Sequence, residues 1–94
     1  MLKLPALLMH EQAETCVTDL RKALPAALGA AGAGQPVVLD ACLLERFDSS
    51  ALAVVLACRR MALDAGRGMV VQGLPVRLRQ LAALYGIAEL IPAS

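Results

Sequence analysis

Asp48, Ser49 and Ser50 place a carboxylate beside two hydroxyls, the clearest cluster of chemistry-bearing side chains in this 94-residue chain. They lie within Phe47-Asp48-Ser49-Ser50-Ala51-Leu52, after the apolar run Val37-Val38-Leu39 and directly before Ala53-Val54-Val55-Leu56-Ala57-Cys58. The first run reads as a buried strand and the second as a helix, so the polar residues fall where a strand hands over to a helix. Asp48 or Ser49 can cap that helix by accepting hydrogen bonds from its unpaired first-turn N–H groups. A remaining hydroxyl then faces solvent at the positive end of the helix, where a partner or a phosphate can meet it. A plain cap and turn accounts for the same tripeptide. The surroundings have to decide between the two.

Other reactive groups do not assemble into a catalytic or metal site. His10 is the only histidine, and although Glu11 and Glu14 are near, no second histidine completes a metal pair. A His10–Cys16 nucleophile dyad lacks a third group to orient it. Cys16, Cys42 and Cys58 have no CxxC spacing and fit reduced, mostly buried thiols better than a disulfide framework or a zinc site. The stretch Gly29 to Pro36 lacks the Lys-Ser/Thr of a phosphate-binding loop and reads as a linker. The chain is therefore expected to work without catalysis, cofactor or metal.

The composition suits one small domain over residues 1–94, with 59% hydrophobic residues, no Trp, one Tyr and one Phe, hence an aliphatic core. Nine Lys and Arg against eight Asp and Glu give a formal net charge of +1, which provides no electrostatic footprint for nucleic acid or an anionic membrane. The longest apolar run, Ala51 to Cys58, stops at Arg59-Arg60. A membrane span needs about 20 apolar residues. With no secretory h-region at the N-terminus, the expected location is cytoplasmic, with no direct membrane insertion.

The elements that position the hydroxyl turn follow from periodicity. Leu2 to Met9 is apolar but interrupted by Lys3 and Pro5, and Pro5 cannot donate to a ladder, so an edge strand or irregular start is expected. Ala13 to about Leu24 reads as an amphipathic helix that Pro25 ends or kinks. Val37 to Leu39 is the central strand, followed by Asp40 and a connection through Leu44-Glu45-Arg46. A second helix spans about Ala51 to Ala65 and stops at Gly66-Arg67-Gly68. Met69 to Gln72 is the next strand, and Gly73-Leu74-Pro75 opens a third helix with Leu74, Leu78, Leu81 and Tyr85 as its core stripe. Gly86 ends that helix, with Ile87 placed to pack back on its last turn. Strands alternating with helices give an α/β domain, a mixed sheet with helices packed against it.

The second helix carries apolar residues on two sides. At about 100° per residue, Leu52, Val55, Leu56, Ala62 and Leu63 cluster on one side and are expected to face the sheet. Ser50, Ala53, Val54, Ala57 and Met61 gather on the other, with Arg60 and Asp64 at its edge. Arg59 falls among the core-facing leucines and is expected to snorkel outward past its own stem. Ala53, Val54, Ala57 and Met61 are thus expected to be exposed in the isolated chain and covered by another chain. Scattered surface alanines, good helix formers, are the plainer explanation.

The order Val37 to Leu39, Asp40, then Phe47-Asp48-Ser49-Ser50-Ala51-Leu52 and an aliphatic helix resembles the STAS domain family, whose motif is Asp-Ser/Thr-small-Gly-Leu at the head of a helix. The segment Leu81-Ala82-Ala83-Leu84-Tyr85-Gly86-Ile87 is most similar to the MlaB family, small STAS subunits of the Mla phospholipid-trafficking ABC transporters of Gram-negative bacteria. The similarity is good from Val37 to Pro92. It implies a cytoplasmic accessory subunit, peripheral to the inner membrane through its complex. That subunit docks on an MlaF-like ABC transporter ATPase subunit and supports its assembly or activity, and with it outer-membrane lipid asymmetry. Ser49 then matches the hydroxyl residue that contacts the ATPase, and Asp48, Ser49, Ser50, Ala53, Val54, Ala57 and Met61 are the expected partner-binding residues. The alternative implied by the same family is an anti-sigma factor antagonist switched by phosphorylation of Ser49. Two departures stand out: Ala51 replaces the motif's glycine, which restricts backbone approach by a partner, and the N-terminal strand pair is shortened.

Overall fold

The computed structural model describes residues 1–92. In chain order its elements are β1 (Leu2–Lys3), β2 (Leu7–Leu8), α1 (His10–Ala31), β3 (Val37–Asp40), β4 (Arg46–Phe47), α2 (Ser50–Asp64), β5 (Met69–Gln72), α3 (Val76–Leu84) and a 3₁₀ turn (Ala88–Leu90). The α/β sheet takes the form of two ladders, β1-β3-β5 and β2-β4, and every described pairing is parallel. Leu2 pairs with Leu39, and Val37 with Met69. Parallel neighbours need crossover connections, and α1 and α2 supply them. Alternation along the strands then buries Val37, Leu39, Met69 and Val71 in one cluster with the helices.

Leu2 to Met9 divides at Pro5 into two strands. β1 is the edge of the larger ladder, and the Ala6 carbonyl accepts the N–H groups of Glu45 and Arg46, each at 2.9 Å, to start the smaller one. β4 lies in what the sequence gives only as a connection. With two residues, it is too short for alternation to reveal.

α1 is longer than expected, because Pro25 neither ends it nor marks its boundary. Proline lacks the N–H that would bond the Arg21 carbonyl. The turns beyond it are held by packing: Ala27 is buried, and Leu24 and Leu28 are half-buried against the core. The end is also tied by Arg67, whose guanidinium donates to the Leu28 carbonyl at 3.3 Å and to the Gln35 carbonyl at 2.9 Å. A cation on the last carbonyls also complements the negative end of the helix.

α3 buries Leu78 and half-buries Leu81 below the buried Leu74, but Tyr85 is exposed, contrary to the expected stripe. The helix stops at Leu84, so Tyr85 is its C-cap and leaves the helical phase. Gly86 adopts φ 73°, and the Ile87 N–H returns to the Ala82 carbonyl at 2.9 Å while the Gly86 N–H reaches Ala83 at 3.1 Å. This left-handed closure suits glycine and folds Ile87 back against the core. Ile91 is then buried, and the Pro92 carbonyl accepts the Val71 N–H at 2.8 Å along β5.

Candidate docking surface at the head of the second helix

Asp48 is the cap. Its Oδ1 accepts the Ser50 N–H at 2.8 Å, and its Oδ2 accepts the His10 N–H at 3.0 Å. One carboxylate therefore ties the first residue of α2 to the first residue of α1, elements far apart in sequence. The Ser50 N–H bond is the chief cause that holds the Asp48 carboxyl below the usual carboxylate range, with the His10 N–H and the adjacent imidazole adding to it.

Ser49 is thereby released from capping. It sits at the N-cap with φ −63° and ψ −17°, is exposed, and makes no side-chain capping bond. The Ala51 N–H bonds the Asp48 carbonyl and the Leu52 N–H the Ser49 carbonyl, both at 3.1 Å. With the Ser50 N–H held by Asp48, the opening donors of α2 are already engaged. The turn presents a hydroxyl rather than an open anion site. Beside it, the Arg77 guanidinium carbon stands 5.4 Å from the Phe47 ring centroid, a cation–π contact that ties the first turn of α3 to the residue before Asp48.

Below the turn, the faces of α2 are rotated from the expected division. Ala53 is exposed, and Ala57 and Met61 are half-buried, Met61 packing on the core. Val54, expected at the surface, is buried at 1% exposure. Leu63, expected against the sheet, is 49% exposed, and Leu56 is only half-buried. The reason is α1, which packs along α2 and shares the burial with the sheet. The inner face consists of Ala51, Leu52, Val54, Val55, Cys58 and Ala62. The outer strip running from Ser49 is Ala53, Leu56, Ala57, Arg60, Leu63 and Asp64, with the half-buried Arg59 at its border. Leu63 is the surface leucine that sequence reasoning missed, and Leu56, half-buried against the core, is one that the core covers only in part. The usable signal was the small-residue series Ala51, Cys58 and Ala62, spaced by seven and four, which lets two helices approach closely.

Ala51 is fully buried, so the methyl group at the motif's glycine position points into the core and does not stand between the turn and a partner. Cys16 and Cys58 are buried and Cys42 is exposed, all three as free thiols. Burial, followed by the charge of Cys16, pushes the Cys58 thiol up to about 11. Among the described residues no helix is long and apolar enough to cross a membrane.

No curated protein matches the chain. A family model described as the Mlab STAS domain matches residues 13–92, which take in all but the first three residues of α1, the central strand, the hydroxyl turn, α2, α3 and the return beside β5. The parallel ladders with helices packed against them agree with that match, and the chain belongs to the MlaB-type STAS domain family.

Proposed function

We propose that this STAS domain is an accessory subunit that binds the ATPase subunit of a phospholipid-trafficking, Mla-type ABC transporter and supports its assembly or activity. The observation that carries the proposal is the outer strip of α2. It is headed by the uncommitted Ser49 hydroxyl and carries two leucines, Leu56 and Leu63, that the chain's own core does not fully cover. An apolar strip with a polar head and with Arg60 and Asp64 beside it has the make-up of a protein interface, an apolar centre with a polar rim. The domain acts by contact: it holds the ATPase through this strip, with no reaction step of its own. It reaches the inner membrane through the complex, in the cytoplasm, and serves outer-membrane lipid asymmetry indirectly.

Co-purification with the cognate MlaF-like ATPase subunit tests the proposal. Ser49→Glu is expected to abolish co-purification while the melting temperature stays near that of the unmodified domain, because a charge forced into a desolvated contact without a partner costs roughly 2–5 kcal/mol. Retained binding by Ser49→Glu removes the hydroxyl turn from the interface. The exposure of Ser49 also favours a second reading, an anti-sigma factor antagonist whose binding is switched off by phosphorylation there. Intact-mass analysis after incubation with a cognate kinase separates the two, since only the second requires a phosphorylated product.

A further inference from the structure

The hydroxyl turn does not stand on α2 alone. Leu8 pairs with Phe47 in the parallel ladder of β2 and β4, so the two strands run out side by side. Each then passes into a helix: Leu8 through Met9 into α1 at His10, and Phe47 through Asp48 and Ser49 into α2 at Ser50. The Asp48 carboxylate bridges the two openings, one oxygen accepting the Ser50 N–H at 2.8 Å and the other the His10 N–H at 3.0 Å. Leu8 is fully buried and Phe47 packs against the core, so the ladder that carries this bridge is anchored.

The two hydrogen bonds serve different ends. α1 keeps a cap of its own without Asp48, because the Met9 N–H donates to Gln12 Oε1 and the Gln12 N–H to the Met9 carbonyl, both at 3.0 Å. The His10 N–H is an opening donor that no helix satisfies internally, and His10 is exposed, so water could serve it. The carboxylate gains more from this bond than α1 does. With both oxygens engaged, Asp48 is held in one orientation, the Ser50 N–H stays with it and the Ser49 hydroxyl stays free. With the His10 side released, a single hydrogen bond is left to hold the carboxylate, and the first turn of α2 frays.

We infer that the backbone N–H of His10 is the positioning group of the hydroxyl turn: the segment from Leu7 to His10 fixes the Asp48 carboxylate, and through it the arrangement in which Ser49 meets a partner. Its consequence for docking rests on the proposal above that Ser49 heads the docking surface. The family match begins at residue 13, so this support lies in a segment that the match does not cover.

Two variants at one position separate the backbone from the side chain. His10→Pro removes the N–H, and proline suits the place: it is favoured at the first residue of a helix, and Met9 before it is extended at φ −99° and ψ −179°. His10→Ala removes the imidazole and keeps the N–H. In calorimetric titration His10→Pro is expected to weaken binding of the MlaF-like ATPase subunit about tenfold, and His10→Ala to bind as the wild type does. Asp48→Asn keeps one acceptor oxygen for Ser50, so it should weaken binding to a similar degree. The double variant His10→Pro with Asp48→Asn should then bind no more weakly than either single variant, because both changes break the same bond. Wild-type affinity in His10→Pro overturns the inference, as does an equal loss in His10→Ala or additive losses in the double variant.

The free domain supplies a measurement that needs neither partner nor proline. In nuclear magnetic resonance titrations of the wild type, the His10 and Ser50 amide signals should move together as Asp48 takes up its proton in acid, and Asp48→Asn should lose that step at both. A His10 amide that ignores the Asp48 titration overturns the inference even where His10→Pro does not fold. A wild-type domain that does not bind the ATPase subunit overturns the docking proposal instead, and the amide titration still decides whether His10 holds the turn.

Discussion

On its inner face α2 buries Ala51, Cys58 and Ala62 completely, while on its outer face Leu63 is about half exposed and Leu56 partly so. Side-chain size therefore does not tell the faces apart. Where α1 and α2 lie against one another, close approach requires small side chains, and the close-packed interior leaves no room for larger ones. The larger residues that remain on the other side need a cover from elsewhere if they are to leave water. The inner face describes how the domain holds itself together, and the outer face what it is able to hold.

The largest expected effect separates the faces by stability. Leu52→Ala, at a buried inner position, is expected to cost about 2–5 kcal/mol in urea unfolding through the cavity it leaves. Leu63→Ala on the outer face should change stability by no more than about 0.5 kcal/mol. Equal losses would make Leu63 part of the core and erase the distinction. Overfilling gives the next effect: Ala62→Leu is expected to destabilise by about 1–3 kcal/mol, because Ala62 is fully buried and the added carbons have no space in the core.

A smaller effect belongs to the turn that heads both faces. The folded Asp48 carboxyl is lowered, first by the Ser50 N–H, whereas an unfolded aspartate titrates near about 3.9. The folded state binds fewer protons there, so this contribution is full above the unfolded pKa and is lost as pH falls through the lower folded value. Asp48→Asn should flatten that acid limb in melting temperatures measured below about pH 5. An unchanged limb would mean that other carboxylates govern it.

The sequence made the long elements and the cap legible, because they rest on local signals. Val37 to Leu39 and Met69 to Gln72 announced themselves as apolar runs, and Asp48-Ser49-Ser50 as a cap at a strand–helix junction. What stayed hidden depended on contacts between distant segments. Nothing local in Pro25 says that Ala27 and Leu28 will be packed well enough to carry α1 past it. Nothing in Val54 or Leu63 says that α1 will occupy one flank of α2 and leave the other open. The division of labour at the turn was open for the same reason: Asp48 takes both helix starts only because the fold brings His10 to it.

The central claim is that the outer strip of α2 is the docking surface for the ATPase subunit. Hydroxyl-radical footprinting of the domain alone and in complex with that subunit, at equal radical dose, tests it most directly. Oxidation of Leu56 and Leu63 is predicted to fall sharply in the complex. Equal oxidation of both leucines in the two states would contradict the account and place the ATPase contact on another surface.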